Sequence, residues 1–66
     1  MKIVCNGEHR EVSADMRVVD LLRQLGLDPA TVVVVCDDEI LKQEEYESRQ
    51  LREGSVLELI RFVGGG

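Results

Sequence analysis

Residues 18–36 of the chain, VVDLLRQLGLDPATVVVVC, contain the two elements from which the fold is predicted. Val18, Leu22 and Leu25 follow the spacing i, i+4, i+7, which is typical of a short helix with one apolar face. Gly26 stands directly after the last periodic residue, where a left-handed helix cap is expected. The segment therefore predicts a single amphipathic helix that packs against a sheet.

A run of β-branched residues follows this helix. Asp28-Pro29 prevents the helix from resuming, and the run at 32–36 is too short for a typical helix. We expect a strand with much of both faces covered, because it is apolar throughout. Ile40-Leu41 is a candidate for a short further strand, and the polar segment 44–50 is predicted to be irregular or a single helical turn.

The two ends of the chain also predict strands. Residues 1–5 are β-prone and run into Asn6-Gly7, a strong signal for a hairpin turn. The polar, alternating segment 8–12 is typical of an edge strand. The last strand is predicted at 56–63.

The predicted order of elements is β-β-α-β-(β)-β, which indicates an α+β fold. We expect a mixed sheet of four to five strands with one main helix on one face. If the first and last strands lie side by side and parallel, the fold is a β-grasp, or ubiquitin-like, fold. We predict a β-grasp domain at 1–63 and a flexible C-terminal glycine tail at 64–66.

Length and charge narrow the classes of function. A chain of 66 residues leaves little room for a deep catalytic cleft, so a carrier or binding module is favoured over a self-sufficient enzyme. The net charge of −5 argues against nucleic acid and suits a basic partner surface. No apolar run is long enough to span a membrane and no signal peptide is recognisable, so we expect a cytoplasmic monomer.

The cysteines do not form a recognisable site. Cys5 and Cys36 stand alone, with only His9 as a further soft ligand, whereas a zinc site needs about four ligands. A disulfide is not expected in the cytosol. We interpret both cysteines as small buried apolar residues, and a role in relaying sulfur as the alternative.

The glycine tail offers the clearest chemistry. Gly64, Gly65 and Gly66 have no Cβ atoms, so the segment can enter a narrow channel on another protein, and three extended residues reach roughly 10 Å. The carboxylate of Gly66 is unreactive until it is activated, most simply as an acyl-adenylate made with ATP. A frayed end or a cloning remnant is the alternative interpretation.

The chain resembles the ThiS family of sulfur carriers in thiamine biosynthesis over essentially its whole length. The resemblance is carried by Asn6-Gly7, residues 18–22, Leu25, Glu39-Ile40, residues 51–54 and the closing Phe62-Val63-Gly64-Gly65-Gly66. The sequence departs from the family pattern at Arg17, where Ser or Thr is common and where Asp15 or Asp20 would have to support the helix start. It also departs at Asp37-Asp38 and at Lys42.

The resemblance implies a charging reaction at Gly66. A ThiF-like adenylyltransferase (E1) would adenylate the Gly66 carboxylate with MgATP, and sulfur from a cysteine-desulfurase-derived donor would then give a thiocarboxylate. A ThiG-like thiazole synthase would use that sulfur. Gly65 would be an obligatory small neighbour and Gly64 a less strict one, and the chain itself would bind no cofactor and no metal.

Three other functions remain open from the sequence. The first is a MoaD-type carrier that delivers sulfur for molybdopterin, tungstopterin or another product. The second is a ubiquitin-like modifier whose Gly66 is joined to a lysine of another protein. The third is a plain β-grasp interaction module with an idle tail.

The last strand contains the candidate docking residues. If Leu57 and Leu59 face the helix, then Ile60 and Phe62 form an apolar patch beside the tail that is available to partners. If the strand is central and buried on both faces, these residues belong to the core instead. A group of acidic residues is either a solvated surface or a match for a basic partner groove: Asp37, Asp38, Glu39, Glu44, Glu45 and Glu47.

Overall fold

The computed structural model describes residues 1–61, and residues 62–66 are outside the described part. Its strands and helix are β1 (Lys2–Cys5), β2 (Glu8–Glu11), α1 (Val18–Gln24), β3 (Val32–Cys36), β4 (Glu39–Ile40) and β5 (Val56–Arg61). Two short 3-10 turns at Pro29–Thr31 and Gln43–Glu45 complete the secondary structure. The boundary predicted between residues 63 and 64 lies outside the described residues.

The five strands form one mixed sheet in the order β2-β1-β5-β3-β4. β5 lies in the centre, parallel to β1 and antiparallel to β3. The first and last strands are therefore parallel neighbours, which confirms the predicted β-grasp arrangement. β2 and β4 are the two edges, and the exposed β2 is the edge strand that the sequence predicted.

The start of α1 is stabilised from within the helix. Arg17 is the N-cap residue, and its backbone N–H donates to Oδ2 of Asp20 at 3.0 Å. Asp20 thereby satisfies a backbone donor and places negative charge at the positive end of the helix dipole. Of the two aspartates considered for this role, Asp20 supports the helix start.

The end of α1 follows the prediction closely. Gly26 has a φ of +73°, and the N–H of Leu27 donates to the carbonyl of Leu22 at 2.8 Å. This bond is the long bond of a Schellman-type C-cap, for which a residue with positive φ is required. Asp28 then caps the Pro29–Thr31 turn, which the sequence did not predict.

The hydrophobic core fills the space between α1 and one face of the sheet. Val18, Leu22 and Leu57 are completely buried there. The other buried apolar residues are Ile3, Cys5, Val12, Val19, Leu21, Val32, Val34, Cys36, Leu41, Tyr46, Leu51 and Leu59. The core is thus aliphatic apart from one tyrosine, as the composition requires.

β3 is less completely covered than its composition suggested. Val32, Val34 and Cys36 are buried against the helix side, whereas Val33 and Val35 on the other face are only half-buried. The prediction that much of both faces is covered was right for one face, because the helix of the described part lies on one side of the sheet. The second short strand is Glu39–Ile40, one residue earlier than predicted.

Tyr46 replaces a missing strand neighbour on the outer side of β3. Its buried hydroxyl donates to the carbonyl of Val32 at 2.7 Å and accepts from the N–H of Val34 at 3.2 Å. These backbone groups point away from β5, and β4 is too short to reach them. One phenol therefore satisfies a donor and an acceptor that would otherwise be buried without partners.

We expect Tyr46→Phe to lower the free energy of unfolding by about 1–3 kcal/mol, because Val32 and Val34 each lose a buried hydrogen-bond partner. Urea unfolding followed by circular dichroism measures this. The control is Thr31→Val, which removes an exposed hydroxyl bonded to the Asp28 carbonyl and should change stability by less than about 0.5 kcal/mol. Equal stabilities of Tyr46→Phe and the original protein would contradict this role for the phenol.

Candidate functional site

The candidate site consists of β5, the surface around it and the tail that follows it in the sequence. Arg61 is the last described residue, so Phe62 and the three glycines Gly64, Gly65 and Gly66 lie outside the described residues. The role predicted for the tail stays a prediction. The strand that leads into it is fully described.

The side chains of β5 alternate between two environments. Leu57 and Leu59 face the helix with exposed fractions of 0% and 9%, whereas Val56 and Ile60 face the other side with 49% and 50%. This decides between the two arrangements that the sequence left open. β5 is central, yet only one of its faces is buried.

The outer face of the sheet carries apolar side chains on several strands, with the exposed carboxylate of Glu58 on β5 among them. Cross-strand partners share a face of a sheet, and Val4 pairs with Val56 while Val33 pairs with Ile60. Val35 pairs in turn with Ile40, which is 71% exposed. We call these six residues, Val4, Val33, Val35, Ile40, Val56 and Ile60, the open face. Of these six, the sequence analysis named only Ile60 as a docking residue. Val56 shares its strand and its face by alternation, whereas the other four become its neighbours only through strand register.

Asn6 defines where β1 stops covering β5. The N–H of Asn6 donates to the carbonyl of Leu57 at 2.9 Å, and its side-chain Oδ1 accepts from the N–H of Leu59 at 2.8 Å. Asn6 and Gly7 have φ angles of +50° and +79°, so the chain turns away at this point to begin β2. Sequence patterns marked the turn but gave no sign of the side-chain contact with β5.

The acidic residues do not form a single surface. Asp37 uses Oδ1 to accept from the N–H of Val56 at 2.9 Å and so holds the start of β5. Arg49 lies between Glu39 and Glu45, with N–O distances of 3.0 and 3.9 Å. These three carboxylates have structural partners, which favours a stabilising role for them over a binding site.

A groove lies on the helix side, between α1 and the two 3-10 turns. It has a volume of about 540 Å³, and Val19, Arg23, Glu44, Tyr46 and Glu47 are among its lining residues. Within residues 1–61, no group of three or more His, Cys, Asp or Glu side chains is placed to hold a metal ion. Within the same residues, no helix has the length and apolar character needed to cross a bilayer.

The two cysteines lie on either side of Leu57 in the buried row of the sheet. Cys5 and Cys36 are both register partners of Leu57, so two strand spacings separate them, roughly 10 Å in total. A disulfide needs Cα atoms within about 7 Å. Burial raises the pKa of both thiols, and the carboxylate of Asp37 raises that of Cys36 further. Both cysteines are buried packing residues, as predicted.

The comparison with protein families identifies the relatives of this chain. The model of the ThiS family matches residues 3–66, which is nearly the whole sequence. The chain belongs to the ThiS family. The match includes the glycine tail and the strand that leads into it.

Individual ThiS-family relatives agree with this assignment. The sulfur carrier protein ThiS of Bacillus subtilis is 37% identical over 62 residues, which cover 92% of this chain and 94% of that protein. A crystal structure of the thiamine biosynthesis protein ThiS from Geobacter metallireducens superposes with a TM-score of 0.85 at 28% identity, covering both chains completely. The β-grasp fold is therefore that of a known ThiS protein.

A third relative is a much larger protein. The thiazole synthase of Paramagnetospirillum magneticum is 42% identical to this chain over 66 residues, which is 100% of this chain but 20% of the synthase. The chain thus spans about a fifth of the length of that relative. A segment similar to this chain exists there within a protein named for thiazole synthesis.

We expect neither cysteine to react with iodoacetamide in the native protein, because both thiols are buried and their pKa values are raised. Mass spectrometry after brief alkylation at neutral pH should show the unmodified chain, and alkylation in denaturant should modify both residues. Rapid native modification of Cys36 alone would instead support the sulfur-relay alternative.

Proposed function

We propose that this ThiS-family chain is a sulfur carrier for the thiazole ring of thiamine, with the carboxylate of Gly66 as the group that carries the sulfur. The observation that supports it most is the family match, which continues through the described fold to Gly66. The similarity to a Bacillus subtilis protein named as a sulfur carrier agrees with it. In this role the chain is a co-substrate of cytoplasmic enzymes and not a catalyst.

The chemistry needs two steps at one carboxylate. A ThiF-like E1 enzyme joins the Gly66 carboxylate to the α-phosphate of MgATP, which forms an acyl-adenylate and releases pyrophosphate. In the second step, a persulfide derived from cysteine through a desulfurase attacks the acyl carbon and displaces AMP, and a thiol then reduces the resulting acyl disulfide and releases the thiocarboxylate. ATP and Mg²⁺ belong to the partner enzyme.

A ThiG-like thiazole synthase is the proposed consumer of this sulfur. In Paramagnetospirillum magneticum a segment 42% identical to this chain forms part of a protein named thiazole synthase. A carrier segment within the chain of an enzyme has a high effective concentration at that enzyme. The arrangement supports thiazole synthase as a partner for the separate carrier as well.

The open face is the proposed docking surface for these partners. Its apolar residues are exposed around Ile60, and β5 leads from there directly towards the tail in the sequence. A partner that covers the open face would therefore hold the carrier close to the residue from which the tail starts. Phe62, the second docking residue predicted from the sequence, lies outside the described residues and remains part of this proposal.

We expect the full chain, incubated with a ThiF-like E1, MgATP and a sulfur donor, to gain the mass that corresponds to exchange of one oxygen for sulfur. Intact-mass spectrometry measures the gain, and a variant without Gly66 is the control that should remain uncharged. Transfer of the sulfur to thiazole synthase supports the proposed pathway, whereas transfer to molybdopterin synthase alone would assign another one. Adducts in which Gly66 is joined to lysines of other proteins would instead indicate a ubiquitin-like modifier. If the mass of the chain does not change and no adducts form, the remaining function is that of an interaction module.

We expect Ile60→Ser to weaken binding to the E1 about tenfold, because it removes an apolar contact of the open face that the partner would bury. The unfolding midpoint should change little, since Ile60 is half-exposed. The control is Gln24→Ser, an exposed position on α1 at the opposite side of the sheet. Titration calorimetry compares the three proteins, and equal affinities would contradict docking through this face.

A further inference from the structure

The edge of β5 that faces β1 is only partly paired. Backbone groups of successive residues in a strand point to alternate sides, and in β5 the odd-numbered residues point towards β1. The carbonyl of Ser55 accepts from the N–H of Val4, and the carbonyl of Leu57 accepts from the N–H of Asn6, both at 2.9 Å. The carbonyl of Leu59 is the next in this series.

β1 provides no donor for the carbonyl of Leu59, because the chain turns away from β5 after Asn6. After Asn6 the chain enters the turn with Gly7, and the Asn6 side chain occupies the N–H of Leu59. Within residues 1–61, the β1–β5 ladder ends at the pair Cys5 and Leu57, so β1 provides no backbone partner for the carbonyl of Leu59 or the N–H of Arg61. In a parallel sheet, one residue of a strand forms hydrogen bonds with two groups of its neighbour strand: a carbonyl, and the N–H two residues further along. The carbonyl of Leu59 and the N–H of Arg61 are such a pair.

The opposite side of β5 is paired with β3. β3 pairs with β5 along its length from Leu57 to Arg61, so the strand is already held in an extended conformation. A segment that adds to the free side would not need to order β5 first. This lowers the entropic cost of association.

We propose that the Leu59–Arg61 edge of β5 accepts an extended strand of the adenylating enzyme that receives the Gly66 carboxylate, added parallel to β5 in line with β1. The occupant is a strand of this enzyme because only two residues separate the edge from the tail that the enzyme must take up. This inference rests on the proposed function and adds backbone pairing to the apolar docking through the open face. It is an instance of recognition by β-augmentation.

The side chains beside this edge define the chemistry of the incoming strand. Ile60 is half-exposed on the open face, and Arg61 is exposed on the other side of the strand. Side chains of a strand alternate between the faces of a sheet, so the partner strand fits best with an apolar residue beside Ile60 and an acidic one beside Arg61.

The test compares Arg61→Pro with Arg61→Ala in the full chain. Proline removes the N–H that the partner strand would use and places its ring at the edge, whereas alanine keeps the N–H and removes only the charge. Because this N–H points away from β3, both variants should keep the fold. Arg61→Pro should lose about tenfold or more in affinity for the purified ThiF-like E1, and Arg61→Ala about threefold or less.

Amide hydrogen exchange of the original protein gives an independent measurement that does not depend on a variant. In the free chain the amide of Arg61 should exchange rapidly, and in the complex with the E1 it should exchange at least about tenfold more slowly. The exposed amide of Asp15, far from β5 in sequence, serves as the control and should not change.

The outcomes separate this inference from the proposed function. If the original protein binds the E1 and is charged, yet the Arg61 amide remains unprotected and Arg61→Pro binds as well as Arg61→Ala, the edge inference is wrong and the carrier function stands. If the Arg61 amide becomes more protected as the concentration of this chain rises in the absence of enzyme, the edge pairs with a second copy of the chain. That result would overturn the proposal. If the original protein is never charged, the proposed function itself fails.

Discussion

The pairing of β5 on both of its sides is the constraint on which the rest of the structure depends. Leu57 is a register partner of Cys5 on one side and of Cys36 on the other, and it is completely buried beneath α1. The first and last strands of the sequence are thereby joined at the centre of the sheet. The chain segment that leads to the tail consequently starts from the central strand of the sheet.

Local patterns predicted the elements but not the surfaces that they form together. The apolar spacing of Val18, Leu22 and Leu25 identified α1, and Asn6-Gly7 identified the first turn, because each signal lies within a few residues. The open face arises from pairings between positions far apart in the sequence, such as Val4 with Val56. A single sequence carries no direct signal of register, so only Ile60 was identified in advance.

The burial of β3 is a second feature that the sequence alone did not predict correctly. Five consecutive apolar residues predicted a strand that is covered on both faces, yet Val33 and Val35 are only half-buried. In so short a chain, a single layer with one helix covers only one face of the sheet. An apolar residue on the uncovered face therefore adds little to the core, which agrees with the docking role proposed for the open face.

The two proposed modes of contact on β5 differ in what they demand of a partner. The open face offers apolar area, which many surfaces can match with little geometric restriction. The Leu59–Arg61 edge offers one acceptor and one donor in fixed positions, and only an extended backbone in the right register satisfies both. Apolar burial would therefore supply most of the affinity, whereas the edge would orient the carrier so that the tail points towards the enzyme's active site. In the proposed carrier role, the apolar surface would be open to each partner, whereas the backbone match at the edge would be specific to the adenylating enzyme.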